Sequence, residues 1–190
     1  MSSSGTTTQR TGKTTWKLDP VHSEVEFGVR HMMISTVKGA FKSVQGTVRI
    51  DEETYERSEV DVEIDAASID TRDEKRDQHL RSEDFFHVEE HPTLEFKSRK
   101  VEGDEQSFRI PGELTIRGVT RPVILEGELL GGGVDPWGND RLAFRAETKV
   151  SRKDYGLTWN QTLEAGGVLV GDEVTIALEV QVVRADDDQA

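Results

Sequence analysis

The chain has no cysteine among its 190 residues. Disulfide bonds and thiolate metal sites are therefore excluded, and the compartment cannot be inferred from redox chemistry. No apolar run approaches the roughly 20 residues that a membrane-spanning helix needs. Residues 1–15 are rich in Ser, Thr and Gly without an apolar segment, so we expect neither a signal peptide nor a membrane anchor there. Together these absences predict a soluble, cytoplasmic protein.

Positive charge is also scarce. The chain carries 24 Lys and Arg residues against 37 Asp and Glu residues, for a formal net charge of −13. A surface of this sign repels phosphate backbones, and the basic residues are scattered along the chain instead of gathered in a stripe. Nucleic acid is therefore not an expected partner.

The length is typical of one domain, which would bury about 70% of its unfolded surface. Composition divides the chain into three parts. We assign residues 1–14 to a disordered N-terminal segment, residues 15–184 to the folded domain, and residues 185–190 to an acidic disordered tail.

Most of the folded domain alternates apolar and polar residues with a period of two, which is typical of half-buried strands. The clearest case places Val60, Val62 and Ile64 on one face and Asp61 and Glu63 on the other. About eight such segments follow one another, and long antiparallel strands of this kind either stack as a sandwich or close as a barrel. The charged outer face excludes an outer-membrane barrel, whose outside must be apolar. We predict an all-β fold with one short helical insertion.

The helical insertion is predicted within residues 68–96. Thr71 with Glu74 three residues later has the form of a capping box, which predicts a helix over residues 72–82. The helix is almost entirely polar, with Leu80 as its main apolar anchor. Such a helix is marginal alone, so we expect the apolar run around Phe85 to dock it as a lid or plug on the β-structure.

Opposite charges at helical spacing occur on this segment. Asp73 with Arg76 and Asp77 with Arg81 are expected to form ion pairs worth about 0.2–0.5 kcal/mol each. Arg76, Asp77 and Arg81 could also be read as a catalytic set of a hydrolase or isomerase. We favour the structural interpretation, because no nucleophile motif accompanies them.

Histidines and carboxylates are frequent in the same segment, and they could be read as a metal cluster. The residues concerned are His79, Asp84, His87, Glu89, Glu90 and His91. The run HVEEH is not the HExxH arrangement of zinc peptidases, and Pro92 argues against a helix continuing past His91. We therefore expect no metal site, and we interpret His22 and His31 as structural residues.

Four segments resemble, in order, the hallmarks of the YceI-like family. They are residues 16–41, residues 68–96, GELTIRGVTRPV at residues 112–123 and SRKDYGL at residues 151–157. The resemblance covers residues 14–184, essentially the whole folded domain. It implies an extended, lipocalin-like antiparallel barrel, a homodimer, and a polyisoprenoid lipid held in a long apolar pore.

The inward apolar residues are the candidates for the lumen and mouth of that pore. From periodicity alone they are better explained as core, whereas the resemblance favours a ligand pocket. Met32 and Met33 would offer adaptable contacts, and Phe85 and Phe86 would meet the pore mouth. The full set is Phe27, Met32, Met33, Phe41, Phe85, Phe86, Phe96, Leu114, Phe144, Leu157 and Trp159. Arg81 or Arg152 is a weaker candidate for contact with a charged head group.

Our leading hypothesis is a non-catalytic binding or carrier protein for a long-chain isoprenoid or similar lipid, with no other cofactor. No nucleophile elbow or nucleotide fingerprint occurs, and the glycines of residues 131–133 lack the Lys of a phosphate loop, so we expect no enzyme. The alternative is a stress-response or interaction module whose barrel is solidly packed and holds no ligand.

Overall fold

The computed structural model describes residues 12–104 and 106–185. The first strand begins at Lys13, so residues 13 and 14 belong to the folded domain and not to the N-terminal segment predicted as disordered. Ala185 is attached as well, because its amide donates to the Thr15 carbonyl at 2.8 Å. Residues 1–11 and 186–190 of the two predicted disordered segments lie outside the described residues.

The described part of the chain contains twelve strands and one α-helix. They are β1 (Lys13–Leu18), β2 (Glu24–His31), β3 (Ser35–Phe41), β4 (Val44–Asp51), β5 (Glu59–Asp65), β6 (Ile69–Asp70), α1 (Glu74–Arg81), β7 (Thr93–Ser98), β8 (Glu102–Gly103), β9 (Phe108–Ile116), β10 (Val119–Val134), β11 (Asp140–Ser151) and β12 (Val170–Arg184). Short 3₁₀ turns cover Tyr55–Arg57, Ala66–Ser68 and Arg152–Tyr155. No helix among the described residues is long and apolar enough to cross a membrane.

Eight of the strands close into a ring. Their order is β1, β4, β5, β7, β9, β10, β11 and β12, and β12 then pairs with β1, where Leu18 faces Val182. Every pairing in the ring is antiparallel. Closure leaves no open sheet edge around the ring. Because side chains alternate along each strand, the charged ones face outward and the apolar ones face the inside of the ring. The predicted all-β antiparallel barrel with one short helix is confirmed.

Three strands continue beyond the ring and extend one side of it. β2 pairs with the N-terminal part of β12, β3 pairs with β2, and β6 pairs with β3. The connection between β3 and β4 contacts the connection between β5 and β6. The Ser43 amide donates to Ser68 Oγ at 3.1 Å, and the Lys42 amide donates to the Ser68 carbonyl at 3.2 Å. The extension therefore lengthens the barrel wall without a loss of backbone hydrogen bonds at these connections.

The period-two pattern places side chains as predicted along most strands. Val60 and Ile64 are buried, whereas Asp61 lies between them on the outer face and binds Arg99 at 2.9 Å. In β10 the apolar pattern changes phase, and the pairing with β11 shifts register between Leu129 and Gly131. Leu129 lines the lumen in phase with Val123 and Leu125, whereas Leu130 is exposed at the irregularity, beyond which the inward positions change phase.

The helix begins later than the capping box predicts, and that prediction is wrong. Asp73 caps α1, with its Oδ1 accepting from the Arg76 amide at 3.0 Å. Thr71 lies two residues earlier, and Arg72 between them has a left-handed backbone with φ of 62°. Both Thr and Asp are good caps, so the sequence alone did not choose between them.

Asp77 is buried on the inner side of α1 and does not pair with Arg81 as predicted. Its Oδ1 accepts from the amide of Thr71 at 2.9 Å and from the hydroxyl of the same residue. Arg81 instead donates to the carbonyls of Ala67 and Ile69 at 3.0 and 3.1 Å. A buried carboxylate is tolerated only when it is hydrogen-bonded, so Asp77 joins the helix to the strand that precedes it.

The insertion (residues 71–92) packs on the barrel through aromatic rings. Phe85 lies 5.4 Å from Trp159 and 5.1 Å from His79, measured between ring centroids. Phe86 meets Phe41 of β3 edge to face at 5.6 Å. The polar helix is therefore held by the apolar residues that follow it, as predicted from the sequence.

We predict that Asp77→Ala destabilises the folded state by about 2–3 kcal/mol, because it leaves the buried Thr71 amide without an acceptor. Urea unfolding followed by circular dichroism measures this loss. Gln78→Ala is the matched control on the exposed side of the same helix, and it should change the free energy of unfolding by less than about 0.5 kcal/mol. Equal effects of the two substitutions would contradict the anchoring role of Asp77.

Candidate ligand-binding site

A cavity of ≈ 660 Å³ occupies the inside of the ring, and we call it the lumen. Its wall is almost entirely apolar and receives side chains from all eight strands of the ring. Representative lining residues are Val48, Val62, Leu114, Leu129, Leu142 and Val180. The volume falls within the roughly 300–1,000 Å³ typical of small-molecule sites. The lumen can therefore hold an apolar ligand.

Glycines on neighbouring strands let aromatic rings lie against the wall of the lumen. A Cβ atom on Gly112 would stand 2.5 Å from the Phe96 ring, and one on Gly127 would stand 2.6 Å from the Phe108 ring. Any larger residue at these positions would collide with the ring or force it to move. The glycines thus give each ring room beside the wall, which helps to keep the lumen open.

Polar groups gather at one end of the lumen. Glu52, Tyr55, Ser58 and Asp104 line it there, where the β4–β5 connection meets the segment around β8. The two segments adjoin, because the Val101 amide donates to the Glu56 carbonyl at 3.3 Å. None of the described lining residues is Lys, Arg or His. We call this acidic end the mouth.

Part of the predicted ligand-binding set lies on the lumen. The predicted residues that line it are Phe27, Phe41, Phe96, Leu114 and Phe144. Sequence reasoning passed over other lining residues, including Ile50, Leu125 and Val180. The signal that finds them is the same period-two alternation, applied to aliphatic residues as well as to aromatic ones.

The remaining predicted residues do not line the lumen. Met32 and Met33 form the tip of the β2–β3 hairpin, where they are 41% and 60% exposed. Both have a left-handed backbone, with φ of 51° and 63°, which is the geometry of a tight hairpin turn. Phe85 and Phe86 of the insertion pack in the core, together with Leu157 and Trp159.

Arg81 and Arg152 are not at the lumen either. Arg152 is 5% exposed, and its guanidinium donates to the carbonyls of Leu157 at 2.6 Å and Trp159 at 2.9 Å. Burial lowers the pKa of this arginine below its ordinary value, although Asp172 lies 3.7 Å away. Its role is to hold the loop after the Arg152–Tyr155 turn against β12, through a further bond to the Gly171 carbonyl.

The residues that could be read from the sequence as a metal cluster or a catalytic set lie in different places. His79 binds Asp84 at 2.8 Å, beside Phe85. His87, Glu90 and His91 lie together further along the insertion. Arg76 donates to the Thr71 carbonyl and hydroxyl, so the proposed catalytic set of the insertion takes part in structural hydrogen bonds.

Tyr155 is buried beneath the Arg152–Tyr155 turn and is 1% exposed. Its hydroxyl has no hydrogen-bond partner among the residues that the structure describes. Burial raises the pKa of the phenol to about 12, because the charged form would lose its hydration. The residue thus contributes apolar packing while its polar end stays neutral.

We predict that Tyr155→Phe is neutral or stabilising at pH 7, because it removes a buried polar group without a partner. Because the folded state keeps the phenol neutral, the raised pKa contributes fully to the free energy of unfolding below the ordinary pKa of about 10. This contribution to stability is lost as the pH rises from about 10 to about 12. The wild type should therefore lose about 2–3 kcal/mol more than the variant across that window. Denaturant unfolding at pH 9 to 12 tests this, with Tyr55→Phe as the exposed control.

Comparisons with known proteins agree with this architecture. The family model for the YceI-like domain matches residues 16–182 of this chain. Protein YceI of Escherichia coli is 41% identical over 136 residues, covering 72% of this chain and 71% of the relative.

Two solved structures share the fold at low sequence identity. BcnA of Burkholderia cenocepacia superposes with a TM-score of 0.75 at 21% identity, covering 86% of this chain and 98% of that one. A polyisoprenoid binding domain from Saccharophagus degradans, implicated in plant cell wall breakdown, gives 0.65 at 14% identity, with coverage of 90% and 98%.

Proposed function

Because this chain belongs to the YceI-like domain family, we propose that it binds a long-chain isoprenoid, or a lipid of similar shape, inside the lumen of its barrel. The observation that carries this proposal is the apolar lumen of ≈ 660 Å³. An engineered cavity of about 150 Å³ already binds benzene, so the volume here suits a much longer hydrocarbon. The shared fold of the polyisoprenoid binding domain supports the same class of ligand.

Burial of apolar surface supplies the binding free energy in this proposal. A chain that hides roughly 400 Å² from water gains about 10 kcal/mol, from which the cost of ordering the chain is subtracted. The contacts are aliphatic and aromatic, so they select for an elongated apolar shape and not for a pattern of hydrogen bonds. Binding, and not catalysis, is what such a wall supports.

The mouth favours an uncharged head group. Glu52 and Asp104 are the charged residues among those described around the lumen, and both are acidic. A phosphate placed beside them would be repelled, whereas an alcohol could donate to a carboxylate. We infer that the ligand ends in a neutral polar group.

The alternative of a stress-response or interaction module assumes a solidly packed barrel, and the volume of the lumen disfavours it. The homodimer and the cytoplasmic location expected from the sequence stay predictions, as do transport and storage of the ligand. A role as a carrier requires release of the ligand as well as binding.

We predict that Val180→Trp abolishes lipid binding. Val180 faces the lumen beside Phe144, its pairing partner on β11, and an indole at this position would fill the lumen. Native mass spectrometry of gently purified protein, followed by reconstitution with a long polyprenol, measures bound lipid. Thr175→Trp is the matched control on the outer face of the same strand. Lipid bound equally by both variants, or by neither variant nor wild type, would reject the lumen as the site.

We further predict that a polyprenol binds at least about tenfold more tightly than the polyprenyl phosphate of the same length, a difference of about 1.4 kcal/mol. The double variant Glu52→Gln, Asp104→Asn should narrow this ratio, and Glu53→Gln, beside the mouth, should leave it unchanged. Competition against a fluorescent lipid measures both affinities. Tighter binding of the phosphate by the wild type would contradict the neutral head group.

A further inference from the structure

Tight turns after α1 bring three potential metal ligands together. The His87 amide donates to the Ser82 carbonyl at 2.9 Å, and the His91 amide donates to the His87 carbonyl, also at 2.9 Å. His87 itself has a left-handed backbone with φ of 50°. The chain therefore folds back on itself between residues 87 and 91. Pro92 disfavours a helix through His91, but this turn brings the two histidines and Glu90 together without a helix.

The ligand atoms are near the spacing that one ion requires. His87 Nδ1 lies 3.6 Å from Glu90 Oε2, and one ligand atom from each of His87, Glu90 and His91 lies within 4.8 Å of the others. In a tetrahedral site with bonds of about 2.1 Å, two atoms bound to one Zn²⁺ lie about 3.4 Å apart. His87 and Glu90 are already near that spacing, and a shift of the side-chain atoms by roughly 1–1.5 Å brings all three ligands to it. We propose that His87, Glu90 and His91 form a binding site for a divalent transition metal such as Zn²⁺.

The donor set selects the class of ion. Two imidazole nitrogens and one carboxylate oxygen suit Zn²⁺, Co²⁺, Ni²⁺ or Cu²⁺. Calcium and magnesium take mostly oxygen ligands, and this group offers the oxygens of a single carboxylate. Three protein ligands leave a fourth position of the ion for water.

The surroundings support the two imidazoles. The His91 ring stands against the β9–β10 turn, where a Cβ atom on Gly118 would lie 3.0 Å from its Cε1. The neighbouring Arg117 directs its guanidinium to the carbonyl of Phe85 at 3.0 Å. A bound ion would cross-link residues 87–91, where the insertion returns to β7, and would stabilise the folded state by mass action.

The test is isothermal titration of the full-length chain with ZnCl₂, in protein that carries no histidine tag. We expect saturable binding of one ion. His87→Asn and Glu90→Gln should each weaken it at least about tenfold, since even residues that only support a ligand contribute about 10–100-fold. Asn tolerates the left-handed backbone of residue 87. Glu89→Gln and His22→Gln are matched controls and should keep the wild-type affinity.

A second measurement on the wild type does not depend on the folding of any variant. In ¹⁵N NMR spectra of the imidazole rings, ZnCl₂ should shift the signals of His87 and His91 and leave those of His22, His31 and His79 in place. The proposal is overturned if no saturable binding occurs or if His87→Asn and Glu90→Gln bind as tightly as the wild type. Shifts confined to the other three histidines would overturn it as well.

Discussion

The pairing of β12 with β1 is the contact on which the rest of the structure depends. It closes the eight-strand ring, and at the seam Val182 is fully buried opposite Leu18. Closure pairs Trp16–Leu18 with Val182–Arg184, while β2 covers the N-terminal part of the same edge of β12, and the inward faces of the ring turn toward one axis. Without it the same alternating strands would form an open sheet with an exposed apolar face. The lumen is thus a consequence of closure, and its apolar wall is the inner half of the period-two pattern.

The second constraint is that the interior is not filled. Phe96 and Phe108 lie over Gly112 and Gly127, so these large side chains have room along the wall. An empty apolar space forfeits the dispersion contacts that a packed core would provide. A hydrocarbon chain bound in the lumen, as proposed above, would supply those contacts. Ligand binding would then stabilise the barrel, without a contribution from the charged outer face.

The insertion is stabilised by a different principle. Its helix has eight residues, nearly all polar, and is too short to persist by propensity alone. A buried carboxylate on Asp77 ties it to Thr71, and the aromatic rings that follow pack it on β3 and on Trp159. Specific polar anchoring followed by apolar docking places the turn of residues 87–91, with its two imidazoles, at a defined position beside Gly118.

The strands and the family are predictable from the amino-acid sequence alone. Alternation such as Val60, Val62 and Ile64 is a local property, and a strand must turn one face to the core. The N-cap of the helix and the burial of Asp77 could not be predicted from the sequence. Thr71 and Asp73 are both good N-cap residues, and tertiary contacts determine which of them caps the helix. The exposed position of Met32 at a hairpin tip and the hollow lumen depend instead on long-range packing. A period of two reports which face is inside, but the distance to the opposite wall depends on how residues far apart in the chain meet.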